Sequence, residues 1–320
     1  MKAAVYYETG APEVLRYEEV ADPPLHDKGV LIEVAAISIE GGDTLNRLGG
    51  PMPARPHIVG YQCAGTIREV GASVTDREVG QRVVTTMAHG SHAELASVPA
   101  ASTWPVPDGL DLVTAAAVPV AFGTADDCLF EFGHLQAGQT VLVQAGSGGV
   151  GLAAIQLAKR AGATVLATAS SEEKLERLRG YGLDHGIDYV REDFADEARR
   201  LTDGRGVDLV VDSVGSTLAG SIRSLAYRGR ISYVGNAGRD ATMVDVSALM
   251  GGNLAIQGVF LGAELATGQR ARANIARLLD EIAAGQLEVV IDSTFPLAEA
   301  AEAHAHLENR RAFGRVILEP

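Results

Sequence analysis

Cysteine is nearly absent from this chain. Its 320 residues include two, Cys63 and Cys128, in unrelated segments and in no CxxC. That count excludes a four-cysteine zinc site and argues against a disulfide framework, so both are expected to be small buried apolar residues. Cations are also scarce: 27 Lys and Arg stand against 41 Asp and Glu, a net charge of −14, and such a field repels nucleic acid and anionic membranes. No stretch reaches the roughly 20 apolar residues of a membrane span. The opening MKAAVYYETG has no apolar signal core, so a cytoplasmic protein is expected. Internal repeats and low-complexity tails are lacking too.

What is present is glycine, 37 residues of it, enough for many tight turns and close backbone approaches. The length exceeds what one core usually serves, and two domains are expected. The first 120 or so residues read as a compact β-rich domain. Short apolar runs (LIEVAAIS, AGTIREV, RVVTTM, HAELASV) alternate there with turn clusters such as ADPPLHDKG. DLVTAAAVPVAFGTADDCLFEFG predicts a helix pair broken near Pro119 and Gly123. From Gln139 the pattern becomes strand, helix, strand: TVLVQA, VGLAAIQLAKRAG, ATVLATA, SEEKLERLRGYG, then HGIDY, DFADEARRLTDG, VDLVVDSVG, TLAGSIRSLAYRG, RISYVGN and LAIQGVFLG. This alternation predicts a doubly wound parallel sheet with helices on both faces. A long helix near Thr267 to Ala284 follows, and the last strand, GRVILEP, is placed to return to the first domain.

The cluster Gly146-Ser147-Gly148-Gly149-Val150-Gly151 follows a strand and opens a helix. A GxGxxG in that setting holds a dinucleotide. The first glycine makes the tight turn, the second admits the pyrophosphate, and the third lets helix and strand pack closely; the helix N-terminus supplies N–H groups to the anion. NAD sites place a carboxylate at the end of the next strand. Here that end reads Thr168-Ala169-Ser170-Ser171, with Lys174 one turn on. A hydroxyl and a lysine suit a 2′-phosphate, so NADP(H) is expected over NAD, although Glu172 and Glu173 must point away.

These residues, with HIVGYQCAGTIREVGASVTDREVGQRV, AFGTADDCL, VDSVG, YVGNAG and FGRVILEP, make the chain resemble the zinc-free quinone oxidoreductases of the medium-chain dehydrogenase/reductase superfamily, the zeta-crystallin-like group, over nearly its whole length. The resemblance implies an α/β protein. A GroES-like β-rich catalytic domain would start at residues 1–121 and resume at 263–320. A Rossmann domain would be inserted at 122–262, with the active cleft between the two. It implies a homodimer paired near LAIQGVFLG. It places Ser147, Gly148, Gly149 and Val150 on the pyrophosphate, and Ser170, Lys174 and Tyr189 around the 2′-phosphate. Thr124, Val214, Asn236 and Phe260 would lie near the nicotinamide, and Arg315 would approach the cofactor.

Metal-dependent relatives carry a cysteine, a Gly-His-Glu and a further ligand. Here the corresponding positions read Glu40 and Gly60-Tyr61-Gln62, and the eight histidines offer no ligand set. His89 and His92 are expected in a surface loop. No metal is expected, so the acceptor must be electron-poor, and hydrogen bonds must stand in for a Lewis acid. Tyr61 is the first candidate for a donor to the substrate oxygen. Glu40, expected to meet it across the cleft, is the second, and Asp43 is a third. Each has a plainer alternative: Tyr61 as a ring filling the space of a lost zinc site, Glu40 as a prop for a turn at Gly41-Gly42, Asp43 as an orienting group. Leu45 stands where some relatives have a tyrosine, which weakens the link to quinones. Three functions remain open: NADPH-dependent quinone reduction; reduction of α,β-unsaturated ketones, aldehydes or enoyl thioesters; and an NADPH-binding regulatory or RNA-binding protein with little turnover.

Overall fold

The computed structural model describes residues 1–240 and 243–320. The chain divides into two compact units, one of Met1–Val120 with Ile275–Pro320 and one of Ala121–Asn274. The helix Leu261–Thr267 lies in the second unit, so the chain re-enters the first at Ile275 and not at residue 263.

The first unit is built on a seven-stranded sheet. Its path runs Ile291–Pro296, Arg315–Glu319, Gly29–Ser38, Gln62–Val70, Arg82–Thr86 and Thr103–Pro105, with Leu95–Pro99 paired to Gly29–Ser38. The long strand GVLIEVAAIS is buried along most of its length, which explains its apolar run. Two register shifts, at Leu31/Ile32 and Val34/Ala36, bend it. The C-terminal strand pairs antiparallel with it through Ile317↔Ser38 and Leu318↔Ile37. A small antiparallel sheet of Arg16–Glu19, Lys2–Tyr6 and His57–Ile58 completes the unit. The helix Gly41–Gly49 was not legible as a helix, because two glycines open it.

The second unit is a six-stranded parallel sheet in the order His185–Asp188, Thr164–Ala169, Thr140–Val143, Val207–Asp212, Leu225–Tyr233, Ala255–Gly258. Numbered from the first strand, this is the doubly wound order 3-2-1-4-5-6. Thr140–Val143 and Val207–Asp212 flank the point where the winding reverses. Ligands in such sheets bind beyond the carboxyl ends of the strands at that point. Two elements differ from expectation. The TLAGSIRSLAYRG segment is helical only over Leu218–Ser224. Leu225 already pairs with Val207, and Arg228 takes a left-handed φ of 63° as the strand bends into register. Pro119 opens the helix Pro119–Asp126 as a first-turn proline, but Gly123 lies inside that helix without breaking it.

Candidate active site

In the second unit the strand Thr140–Val143 ends in a turn that is tied to its neighbour. Gly146 N–H donates to the Thr168 carbonyl at 2.8 Å, and Ala145 N–H donates to Thr168 Oγ1 at 3.1 Å. A β-carbon on Gly146 would lie 2.9 Å from Ala167 Cβ. On Gly151 it would lie 2.4 Å from the Ala145 carbonyl oxygen. Those two glycines are demanded by packing alone. At Gly148 the nearest protein atom would be 3.4 Å away, an ordinary contact, so crowding within the protein does not call for glycine there. Gly148 also caps the helix Gly149–Arg160 without any side-chain hydrogen bond. The first N–H groups of that helix are thus left for an anion beside Ser147.

The end of the adjacent strand gathers the next group. Tyr189 N–H donates to the Ala169 carbonyl at 3.2 Å, which sets Tyr189 beside Ser170 at the carboxyl ends of paired strands. Ser171 caps the helix Glu172–Arg179, its Oγ accepting from Lys174 N–H at 3.4 Å, so Lys174 falls in the first turn. Glu172 and Glu173 are exposed. One carboxylate here was not anticipated, the buried Asp188. It turns onto its own loop, accepting from Val190 N–H at 3.0 Å and pairing with Arg191 at 3.5 Å.

Two further loops of the same sheet lie side by side. Gly238 N–H donates to the Val214 carbonyl at 2.8 Å, and Ala237 N–H donates to the Ser213 carbonyl at 3.1 Å. Asn236 Oδ1 is buried and has no partner, an acceptor suited to an amide N–H such as that of a nicotinamide carboxamide. Thr124 is buried on the helix Pro119–Asp126, and Phe260 is 73% exposed at the head of the helix Leu261–Thr267.

In the first unit, Glu40 and Gln62, which the resemblance sets at the zinc-ligand positions, join a closed cluster. Glu40 Oε1 accepts from both Gln62 Nε2 and Arg315 Nη2. Arg315 also donates to Ser38 Oγ, at 3.0 Å from Nε and 2.7 Å from Nη2, and to the Ile39 carbonyl at 2.7 Å. Gln62 Oε1 accepts from Val120 N–H at 3.0 Å. Glu40, Gln62, Arg315 and Ser38 are all buried. Burial raises the Glu40 carboxyl, and the Arg315 charge and the bonds from Arg315 and Gln62 pull it back. Asp43 is held well above the usual carboxylate range by burial, with the Glu40 charge adding to it, while the Glu40 N–H on its Oδ2 at 2.8 Å opposes the shift. Its Oδ1 is buried without a partner.

Tyr61 precedes the strand Gln62–Val70 and is half-buried. Gly60 takes φ +117°, and a β-carbon there would fall 1.9 Å from Ser91 Oγ. The Tyr61 carbonyl accepts from Met87 N–H at 2.8 Å, which pins the backbone. The ring lies over the first turn of the helix Gly41–Gly49. Its hydroxyl accepts from Asn46 Nδ2 at 2.6 Å. Burial, then the Asp43 charge, push this phenol up to about 12, so it is a neutral hydrogen-bond donor at physiological pH.

Known proteins similar to this chain show its family. The alcohol dehydrogenase GroES-like domain family matches residues 26–108, and the zinc-binding dehydrogenase family matches residues 149–284. A quinone oxidoreductase of Pseudomonas aeruginosa is 36% identical over 97% of both chains. A 2-haloacrylate reductase of a Burkholderia species is 35% identical over 99% of this chain and 98% of its own. The crystal structure of Escherichia coli quinone oxidoreductase complexed with NADPH is 29% identical, covers 100% of both chains and superposes with a TM-score of 0.95. This chain belongs to the zinc-free quinone oxidoreductase family of the medium-chain dehydrogenases/reductases.

Within that family the structure differs from two expectations, those for Glu40 with Tyr61 and for His92. Glu40 and Tyr61 do not hydrogen-bond to each other, because Glu40 is taken by Gln62 and Arg315 and Tyr61 by Asn46. Arg315 donates through Nε and Nη2 to Ser38, Ile39 and Glu40, partners that the sequence did not suggest. His92 is fully buried, its Nε2 3.0 Å from His304 Nε2, and burial pushes it down to about 3. Two residues were missed. Gln62 was noticed only as a lost zinc ligand. Asn46 gave no usable signal, because the helix that sets it four residues after Gly42 on one face is not legible in the sequence. Among the described residues no cluster of three His, Cys, Asp or Glu could hold a metal ion, and no helix is long and apolar enough to cross a membrane.

Proposed function

We propose that this protein is an NADPH-dependent reductase that acts, without a metal, on small electron-poor acceptors, quinones first among them. The observation that carries the reading is the filled zinc position. Glu40 and Gln62 stand where metal-dependent relatives place ligands; they are bonded to each other, and Glu40 is bonded to Arg315 as well, with Tyr61 next to Gln62 in the chain.

The residues fit the cofactor at three points. The uncapped helix start with Ser147, Gly148, Gly149 and Val150 takes the pyrophosphate. Ser170, Lys174 and Tyr189 take the 2′-phosphate, since a strand end with a hydroxyl in place of a carboxylate does not repel it. Val214 and the orphaned Asn236 Oδ1 receive the nicotinamide end, with Thr124 and Phe260 assigned there by family likeness. Bound in this way, NADPH supplies the hydride. The protein's part is to hold the acceptor within reach and to offer Tyr61 O–H to its oxygen as negative charge develops there. Asp43, buried and protonation-prone, orients the first turn of the helix Gly41–Gly49.

A second acceptor class is favoured by one finding, the 35% identity to a 2-haloacrylate reductase over almost the whole chain. An activated alkene presents the same electrophilic carbon and the same oxygen to be hydrogen-bonded. Turnover of NADPH with 1,4-benzoquinone and with 2-chloroacrylate, measured side by side, separates the two. Oxidation driven by the quinone alone supports the first reading, and oxidation driven by the haloacrylate transfers the protein to the alkene reductases. We place a two-fold partner at the strand Ala255–Gly258, which ends the parallel sheet near the exposed Tyr227, Met250 and Phe260.

A further inference from the structure

Asn46 is out of place by every local criterion. It lies inside the helix Gly41–Gly49, where asparagine is disfavoured because its amide competes for backbone partners. It is half-buried, where an apolar residue would pack at no polar cost. Its carboxamide has one partner of note, the Tyr61 hydroxyl at 2.6 Å, with Nδ2 donating. Oδ1 lies on the opposite side against Gly50, where a β-carbon would come within 2.6 Å of it. Gly42, one turn earlier on the same face, leaves the space that the Tyr61 ring occupies.

The direction of that bond matters. A phenol has one proton to give and two lone pairs to receive with. If its oxygen accepts from Asn46, the phenolic proton is directed elsewhere. A bond accepted at the oxygen also polarises the O–H and strengthens it as a donor. If the phenol instead donated to its neighbour, its proton would be spent inside the protein. We propose that Asn46 is the positioning residue that sets the polarity of Tyr61, fixing the phenol as a donor to the oxygen of the bound acceptor. The inference rests on the reading of Tyr61 as the acceptor's hydrogen-bond donor. It adds that the substrate must present an acceptor oxygen at this point, such as a quinone carbonyl, an enone carbonyl or a carboxylate.

The test compares three variants with the wild type, using NADPH and the better of the two acceptors named above. Tyr61→Phe tests the underlying reading, and a kcat unchanged from wild type overturns both that reading and this inference. Asn46→Asp keeps shape and hydrogen bond but is acceptor-only when ionised, so it draws the phenolic proton to itself. Its kcat is expected to fall by about the same factor as that of Tyr61→Phe at pH 8 and to recover as pH drops and the new carboxyl protonates. No such acid recovery is expected of the wild type. Asn46→Leu is expected to lose less than Asn46→Asp, because it removes the bond without reversing it. Equal Tm values for Asn46→Asp and wild type, read in parallel, establish that the ring is still held. If Tyr61→Phe is impaired while Asn46→Asp stays fully active at pH 8, the polarity assignment is wrong and Asn46 is only a prop for the ring.

Discussion

A β-carbon on residue 42 would lie 2.4 Å from Cε2 of Tyr61. The ring and the glycine are therefore one fitted pair, and the first turn of the helix Gly41–Gly49 is shaped around the phenol. Gly42→Ala brings two opposed effects. Alanine favours the helix over glycine by about 1 kcal/mol, while its methyl displaces the ring. Stability should therefore stay within about 1 kcal/mol of wild type, and kcat/KM should fall about tenfold or more because the donor is misplaced. Chemical denaturation and steady-state kinetics check the two halves separately.

On the proposed reading, the strand end at Ser170 selects the cofactor. Ser170→Asp sets a carboxylate against a 2′-phosphate but leaves a 2′-hydroxyl content. The Kd for NADPH should rise by about tenfold or more, roughly 1.4 kcal/mol, and that for NADH should change little or improve. Fluorescence titration of both dinucleotides measures it. Equal losses for both would remove Ser170 from the 2′-phosphate site.

Arg315 and Glu40 form a buried ion pair, and removing one member strands the other. Arg315→Met should cost about 3–5 kcal/mol at neutral pH. The pH dependence has a definite sign. Burial already raises Glu40 in the folded state, and losing the guanidinium raises it further, so the folded protein holds this proton more tightly than the unfolded chain. The stabilisation from that proton is complete below the ordinary glutamate pKa and is lost as pH climbs through the folded value. The penalty of the variant should therefore shrink as pH is lowered from 8 towards 5. Urea titrations across that range test it, and adding Glu40→Gln should recover part of the loss.

His92 and His304 carry a second pH signature. Burial holds both below the ordinary histidine range, His92 at about 3, and their Nε2 atoms share one hydrogen bond at 3.0 Å. Below pH 6.5 the unfolded chain binds protons that the folded pair refuses, so stability is full above 6.5 and falls as pH drops towards 3. Each histidine adds a slope approaching about 1.4 kcal/mol per pH unit. Replacing both with Gln should flatten this acid limb of the stability profile.

Much of this was legible in the sequence because it depends on local patterns. The alternation from TVLVQA to LAIQGVFLG gives the parallel sheet, and the spacing of Gly146, Gly148 and Gly151 gives the turn that starts its first helix. The missing Gly-His-Glu at Gly60-Tyr61-Gln62 marked the lost zinc site. What could not be read were pairings between distant residues. Nothing local links Glu40 to Arg315, which meet only because the strand Arg315–Glu319 pairs with Gly29–Ser38. His92 reads as a loop residue, but it is buried with Ser91 at its Nδ1 and the distant His304 at its Nε2. Asn46 and Tyr61 are joined by a helix that opens on two glycines, a start that propensity argues against.

Hydride transfer from NADPH without a metal can be measured directly. The direct measurement is NADPH oxidation by the protein, after exhaustive chelation and with its metal content assayed, against 1,4-benzoquinone and 2-chloroacrylate. NADH serves as the comparison cofactor. Full turnover in the metal-free protein with at least one acceptor, and a clear preference for NADPH, is the expected result. Turnover that vanishes on chelation and returns with zinc, or no oxidation of NADPH with either acceptor, would contradict it.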